Sequence, residues 1–90
     1  MIKNFGHQGL EKFYRTGSVA GIKAAHARQL ARQMARLNQA TRPADVNVPG
    51  WKLHLLKGNR SGQWAISVSA NWRLVFKFSG GDVLDVDYED

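Results

Sequence analysis

Cysteine is absent from this 90-residue sequence. That excludes disulfides and thiolate-held metals and leaves the fold to its hydrophobic core. Proline occurs only at Pro43 and Pro49, so regular structure is barred mainly across the connector Gln39–Gly50. No apolar run reaches membrane-spanning length, and Met1–Phe5 has no signal-peptide core. These absences predict a cytoplasmic protein without a membrane association. Standard chemical signatures are missing too. There is no Gly-rich phosphate loop, no nucleophilic-elbow serine and no paired-histidine metal spacing. His7, His26 and His54 are scattered, so neither a metal nor another cofactor is called for. Acids are scarce until late: only Glu11 and Asp45 precede Asp82.

What is present is cationic. All 13 Lys and Arg lie before residue 78, and five of the seven acids lie after residue 81, giving a net charge of +6. A cationic body fits a polyanionic partner such as nucleic acid. It fits equally a small soluble domain that happens to be basic. Ninety residues make one domain, spanning residues 1–90, with a modest core.

The chain is built around Trp51–Phe78, whose alternation predicts three antiparallel strands. Trp51, Leu53 and Leu55, then Trp64, Ile66 and Val68, then Trp72, Leu74, Phe76 and Phe78 form the face expected to be buried. Lys52, His54, Leu56, Ala65, Ser67, Arg73, Val75 and Lys77 fall on the face expected to be wet. Gly58–Gly62 and Ala70-Asn71 supply the turns. Val83–Tyr88 reads as a last strand, with Leu84, Val86 and Tyr88 on its apolar side. Met1–Phe5 is a short strand candidate. Leu10–Arg15 reads as a short helix, and Val19–Asn38 as a longer one with Ile22, His26, Leu30, Met34 and Leu37 as its stripe. His26 within that stripe reads as a packing residue. Arg28, Arg32 and Arg36 recur at i, i+4 on another face. They fit a solvated surface, or one that meets phosphates or an acidic partner, and the scarcity of acids favours the second reading.

One constellation carries chemistry: His54 with Lys52, Lys57, Arg60, Arg73 and Lys77 around it. Cleavage of RNA by its own 2′-hydroxyl needs a proton acceptor and cations against the charge growing on phosphorus. A histidine titrating near ~6.5 can move that proton. Arg offers a planar fork to phosphate oxygens, and Lys a point charge. On pattern alone, an ordinary exposed histidine among surface cations fits these residues better.

A resemblance changes that balance. KLHLLKGNRSGQWAISVSANWRLVFKF, residues 52–78, resembles the central signature of HigB-type toxins in the RelE superfamily. The opening IKNF, the helix start at Gly9-Leu10 and the closing DYED fit as well, so the match spans nearly the whole chain. The resemblance implies an α+β fold, with two N-terminal helices packed on a curved, mainly antiparallel sheet, as in microbial ribonucleases. It implies a metal-independent endoribonuclease that cuts mRNA in the decoding site of the 70S ribosome and stops translation. It implies a HigA-like antitoxin with a helix-turn-helix domain, through which alone operator DNA is bound. By position, His54 matches the active-site histidine, Lys57 and Arg73 the phosphate-contacting cations, and Asp90 an acid beside the C-terminal site residues. Lys52, Arg60 and Lys77 would position RNA, and Arg28, Arg32 and Arg36 would meet ribosomal RNA or the antitoxin. Family members usually continue past YED into a Tyr-His pair that lines the site. The stop at Asp90 implies a trimmed chain or a weakened or inert site. The alternative function is a basic module that binds ribosome or antitoxin without cutting. A DNA-binding repressor fits less well, because no recognition-helix unit is visible.

Overall fold

The computed structural model describes residues 1–90 as an α+β fold, with two helices covering one face of a four-stranded antiparallel sheet. Helix α1 spans Gln8–Thr16. It begins two residues before the expected start because His7 acts as its cap, Nδ1 accepting from the Leu10 N–H at 2.9 Å. It ends at Gly17, whose φ of 80° lets the amide turn back to the Phe13 carbonyl.

The expected helix from Val19 is shorter. Helix α2 spans Ala27–Gln39, preceded by one 3-10 turn at Ala24–His26. The reason lies at Gly21, which crosses Gly9 at backbone contact. A Cβ on Gly9 would lie 2.3 Å from the Gly21 carbonyl oxygen. Val19–Lys23 is therefore a tight crossing, and Ser18 bonds the Ala20 amide rather than capping a helix there. Helix α2 buries Leu30, Gln33, Met34 and Leu37, while Ile22 and His26 are only half-buried.

The strands follow in sheet order: β1 (His54–Leu55), β2 (Trp64–Ser67), β3 (Arg73–Ser79) and β4 (Asp82–Glu89). The core gathers Leu10, Leu30, Met34, Leu37, Ile66, Leu74, Phe76, Val83, Val86 and Tyr88 between helices and sheet. Trp51 is buried, and Trp64 and Trp72 pack half-buried against the same core.

Three departures from simple alternation shape the sheet. Strand β1 is two residues long instead of six, because Lys52 adopts a left-handed φ of 54° and breaks the ladder. Leu55 is exposed, while Leu56 keeps the sheet face it shares with His54 and is buried there. Leu56, Ala65 and Val75 then form a small dry cluster on the face expected to be wet. Strand β4 carries a bulge: Val75 pairs with Asp87 and Lys77 with Leu84, so Asp85 and Val86 together face Phe76. Asp85 takes the left-handed position, at φ 54°, which a short polar side chain tolerates best after glycine. The extra residue puts Val83, not Leu84, in the core beside Val86 and Tyr88. Residues 1–5 make no strand of their own. They lie parallel along β4 through single bridges at Ile2–Val83 and Phe5–Val86.

Candidate active site

A cleft of about 440 Å³ opens where β1 begins, β2 ends and β3 starts. His54, Lys52, Ser67, Trp72, Arg73 and Asp90 line it, with Ser69, Ala70 and Asn71 of the β2–β3 turn. Strand pairing explains the convergence. His54 pairs with Ala65, Ala65 with Val75, and Ser67 with Arg73, so His54 and Arg73 share a sheet face across β2. The turn is closed by the Val68 N–H to the Trp72 carbonyl at 2.8 Å. The Ser67 amide bonds the Trp51 carbonyl at 2.7 Å. The Gln33 side chain donates to the Ser67 carbonyl at 2.8 Å, tying α2 to the cleft wall.

The imidazole of His54 is oriented. Its Nδ1 lies 2.9 Å from the Lys52 carbonyl oxygen. A carbonyl only accepts, so Nδ1 carries the proton and Nε2 of the neutral ring keeps its lone pair. The carbonyl belongs to the residue held at φ 54°. Such a conformation costs a non-glycine residue of order 1–3 kcal/mol. The same backbone step that shortens β1 thus fixes the tautomer of the cleft histidine.

Arg73 is held by a carboxylate behind the cleft. Its Nε and Nη2 donate to Glu89 Oε2 at 3.0 and 2.7 Å. Glu89 also takes both terminal nitrogens of Arg60, at 2.7 and 2.9 Å. The two guanidiniums, Arg60 foremost, outweigh the carboxyl's partial burial and pull its pKa down to about 2. Glu89 is therefore ionised throughout the physiological range. Behind Trp72 stands Tyr88, with ring centroids 4.6 Å apart. Burial raises the Tyr88 pKa, and its hydroxyl is hydrogen-bonded with His26 Nδ1 across 2.6 Å. His26 packs there against Trp72 and Tyr88, outside the cleft.

Of the residues singled out in the sequence, the cleft brings together His54, Arg73, Lys52 and Asp90. Lys57 is exposed at the end of β1, outside the lining. Arg60 turns to Glu89 and to Gln63 Oε1, its Nε at 2.8 Å, so its guanidinium is committed within the protein. Lys77 stands 3.9 Å from Asp85. Arg28, Arg32 and Arg36 lie on the exposed side of α2, where Arg36 bonds the Asp45 carbonyl. The sequence reading did not single out Glu89, Trp72 or the serines. For Glu89 the sequence carried no signal, since an unbroken β3–β4 register sets Tyr88 opposite Arg73 and only the bulge brings Glu89 there. No three His, Asp or Glu side chains converge on one point. No helix is long and apolar enough to cross a membrane.

A family model described as "RelE-like toxin of type II toxin-antitoxin system HigB" matches residues 3–89. The chain is 39% identical over 90 residues to the Endoribonuclease HigB of Proteus vulgaris, covering 100% of this chain and 98% of that protein. The antiparallel sheet with its two covering helices agrees with that match, and the chain belongs to the HigB family of RelE-like toxins of type II toxin–antitoxin systems.

Proposed function

We propose that the protein is an endoribonuclease toxin that cleaves mRNA on the 70S ribosome in the cytoplasm and so halts translation. The carrying observation is the cleft in which an oriented His54 faces the same space as Arg73. The Proteus vulgaris relative, named an endoribonuclease, supports the reaction class. Nε2 of His54 takes the proton of a ribose 2′-hydroxyl. The 2′-oxygen attacks the adjacent phosphorus, the bond to O5′ breaks, the departing O5′ takes a proton from solvent water, and a 2′,3′-cyclic phosphate and a 5′-hydroxyl result. Arg73 stabilises the charge on the non-bridging oxygens. Lys52 on the cleft and Lys57 beyond its rim draw the RNA backbone in, as Lys77 does further along β3. Asp90, as an acceptor, orients ribose hydroxyls.

Ribosome binding through such a surface is electrostatic. Affinity is expected to fall steeply along a salt series, because neutralised phosphates release counterions. Sedimentation with ribosomes, paired with mapping of mRNA cuts, tests the reading. A flat salt response contradicts the electrostatic docking. Binding without any cut contradicts the nuclease and favours a non-catalytic module.

Membership of a type II system implies a cognate antitoxin. We infer a HigA-like helix-turn-helix protein, through which operator DNA is engaged. Its docking site is taken to be the groove of about 460 Å³ between α1 and α2, floored by Phe13, Tyr14, Ala31, Met34 and Ala35. Arg28 and Arg32 follow next around α2 from Ala31 and Ala35 and are exposed. An apolar floor with a cationic flank suits an amphipathic acidic segment better than an RNA backbone. Ala31 and Ala35 are exposed and far around α2 from Gln33, which faces the cleft wall. Filling the groove with Ala31→Trp and Ala35→Trp is expected to abolish antitoxin binding while mRNA cleavage continues. Undiminished antitoxin binding by the double variant contradicts the assignment.

A further inference from the structure

We propose that Glu89 is a positioning residue: with Arg60 as its counter-charge, it holds the Arg73 guanidinium by one edge and leaves the other edge for the scissile phosphate. The proposal rests on the nuclease reading above and gives roles to two residues that do not line the cleft.

The hydrogen bonds are divided unequally. Arg60 has all three side-chain nitrogens engaged, Nε with Gln63 and both terminal nitrogens with Glu89. Arg73 gives only Nε and Nη2, both to Glu89 Oε2. Its Nη1 makes no bond within the protein, and its side chain remains about a third exposed on the cleft, at 35%. One carboxylate between two guanidiniums leaves the cluster a net positive charge. Because Arg60 is consumed, that charge is available on the Arg73 side alone.

Each member has a distinct consequence. Without Glu89, Arg73 is a long flexible side chain with a full charge and no fixed plane. Without Arg60, Glu89 has its second oxygen free to close on Arg73 and neutralise it. Planar recognition of phosphate needs the fork fixed before the substrate arrives. The β-ladder supplies this, since Arg73 and Glu89 are direct partners across β3 and β4. Arg60 comes from the 3-10 turn after β1, so the cluster also joins the β1–β2 connection to the cleft.

Simple charge counting makes a different forecast. If the cluster only adds and subtracts charge, Glu89→Gln should strengthen both RNA binding and cleavage. If it positions Arg73, the two must part. The experiment measures binding of an RNA oligonucleotide made uncleavable by a 2′-deoxy residue. Alongside it run single-turnover cleavage of ribosome-bound mRNA, the thermal melt, and the Arg73 Nε–H NMR signal. For Glu89→Gln, binding is expected to tighten while cleavage falls at least about tenfold, short of the ~10²-fold a 1 Å misplacement can cost. For Arg60→Gln, binding and cleavage should both fall. Both variants should retain a cooperative melt. Cleavage by Glu89→Gln at or above the wild-type rate overturns the proposal. So does loss of the cooperative melt in both variants, which would assign the cluster to folding. If the wild-type protein cuts no RNA, the nuclease reading fails by itself. The Arg73 Nε–H signal then decides the positioning: it should move and exchange faster in Glu89→Gln, and an unchanged signal overturns it.

Discussion

His54→Ala is expected to slow mRNA cleavage by ~10²–10⁴-fold, the range typical of a lost general base. The fold should stand. His54 is exposed, and its strand β1 contributes two residues to the edge of the sheet. The core on the helix-covered face does not include it. The lost function is specific, because the Lys52 carbonyl holds Nδ1–H and leaves Nε2 as the ring's proton acceptor. Single-turnover cleavage on the ribosome, with and without added imidazole, checks this. Partial rescue by imidazole is expected. A rate within a few-fold of wild type would remove His54 from the chemistry.

Arg73→Ala is expected to cost roughly 2.7–4 kcal/mol of barrier, the effect of losing one preorganised charge-stabilising donor. The stability cost should be small. The side chain is 35% exposed, and pairs of that kind contribute about 0–1 kcal/mol. Glu89 is also not stranded, because Arg60 still satisfies both of its oxygens. Arg73→Lys keeps the charge and loses the fork, so it should recover only part of the rate. A thermal melt beside the cleavage assay separates the outcomes. A much lower midpoint with little change in rate would make Arg73 a structural residue.

The sheet and the His54–Arg73 pairing were legible because alternation is set by pleat geometry. Once the strand order is right, residues of one parity share a face. Alternation failed where single backbone angles reset it. Lys52 carries no mark of its left-handed φ, so the shortening of β1 to two residues could not be read. Asp85 likewise hides the bulge that moves Val83 into the core. The late start of α2 depends on Gly9 meeting Gly21, a contact that helical periodicity does not encode. The Arg60–Glu89–Arg73 cluster was missed for a related reason. It joins a turn, the start of one strand and the end of another, and only tertiary placement makes them one group. His26 was legible as a packing residue, though the partner it meets, the Tyr88 hydroxyl, was not.

The central claim is that this cleft cuts RNA through the substrate's own 2′-oxygen, with His54 as base. Ribosomes can be programmed with two mRNAs, identical except for a 2′-deoxy residue at the mapped scissile position. Wild-type protein should cut the all-ribose message at that position, leaving a 2′,3′-cyclic phosphate. It should bind the deoxy message complex equally well and leave that position intact. Cleavage of the deoxy-substituted position at the wild-type rate would contradict the account, because the nucleophile would then come from elsewhere and His54 would have no 2′-proton to take.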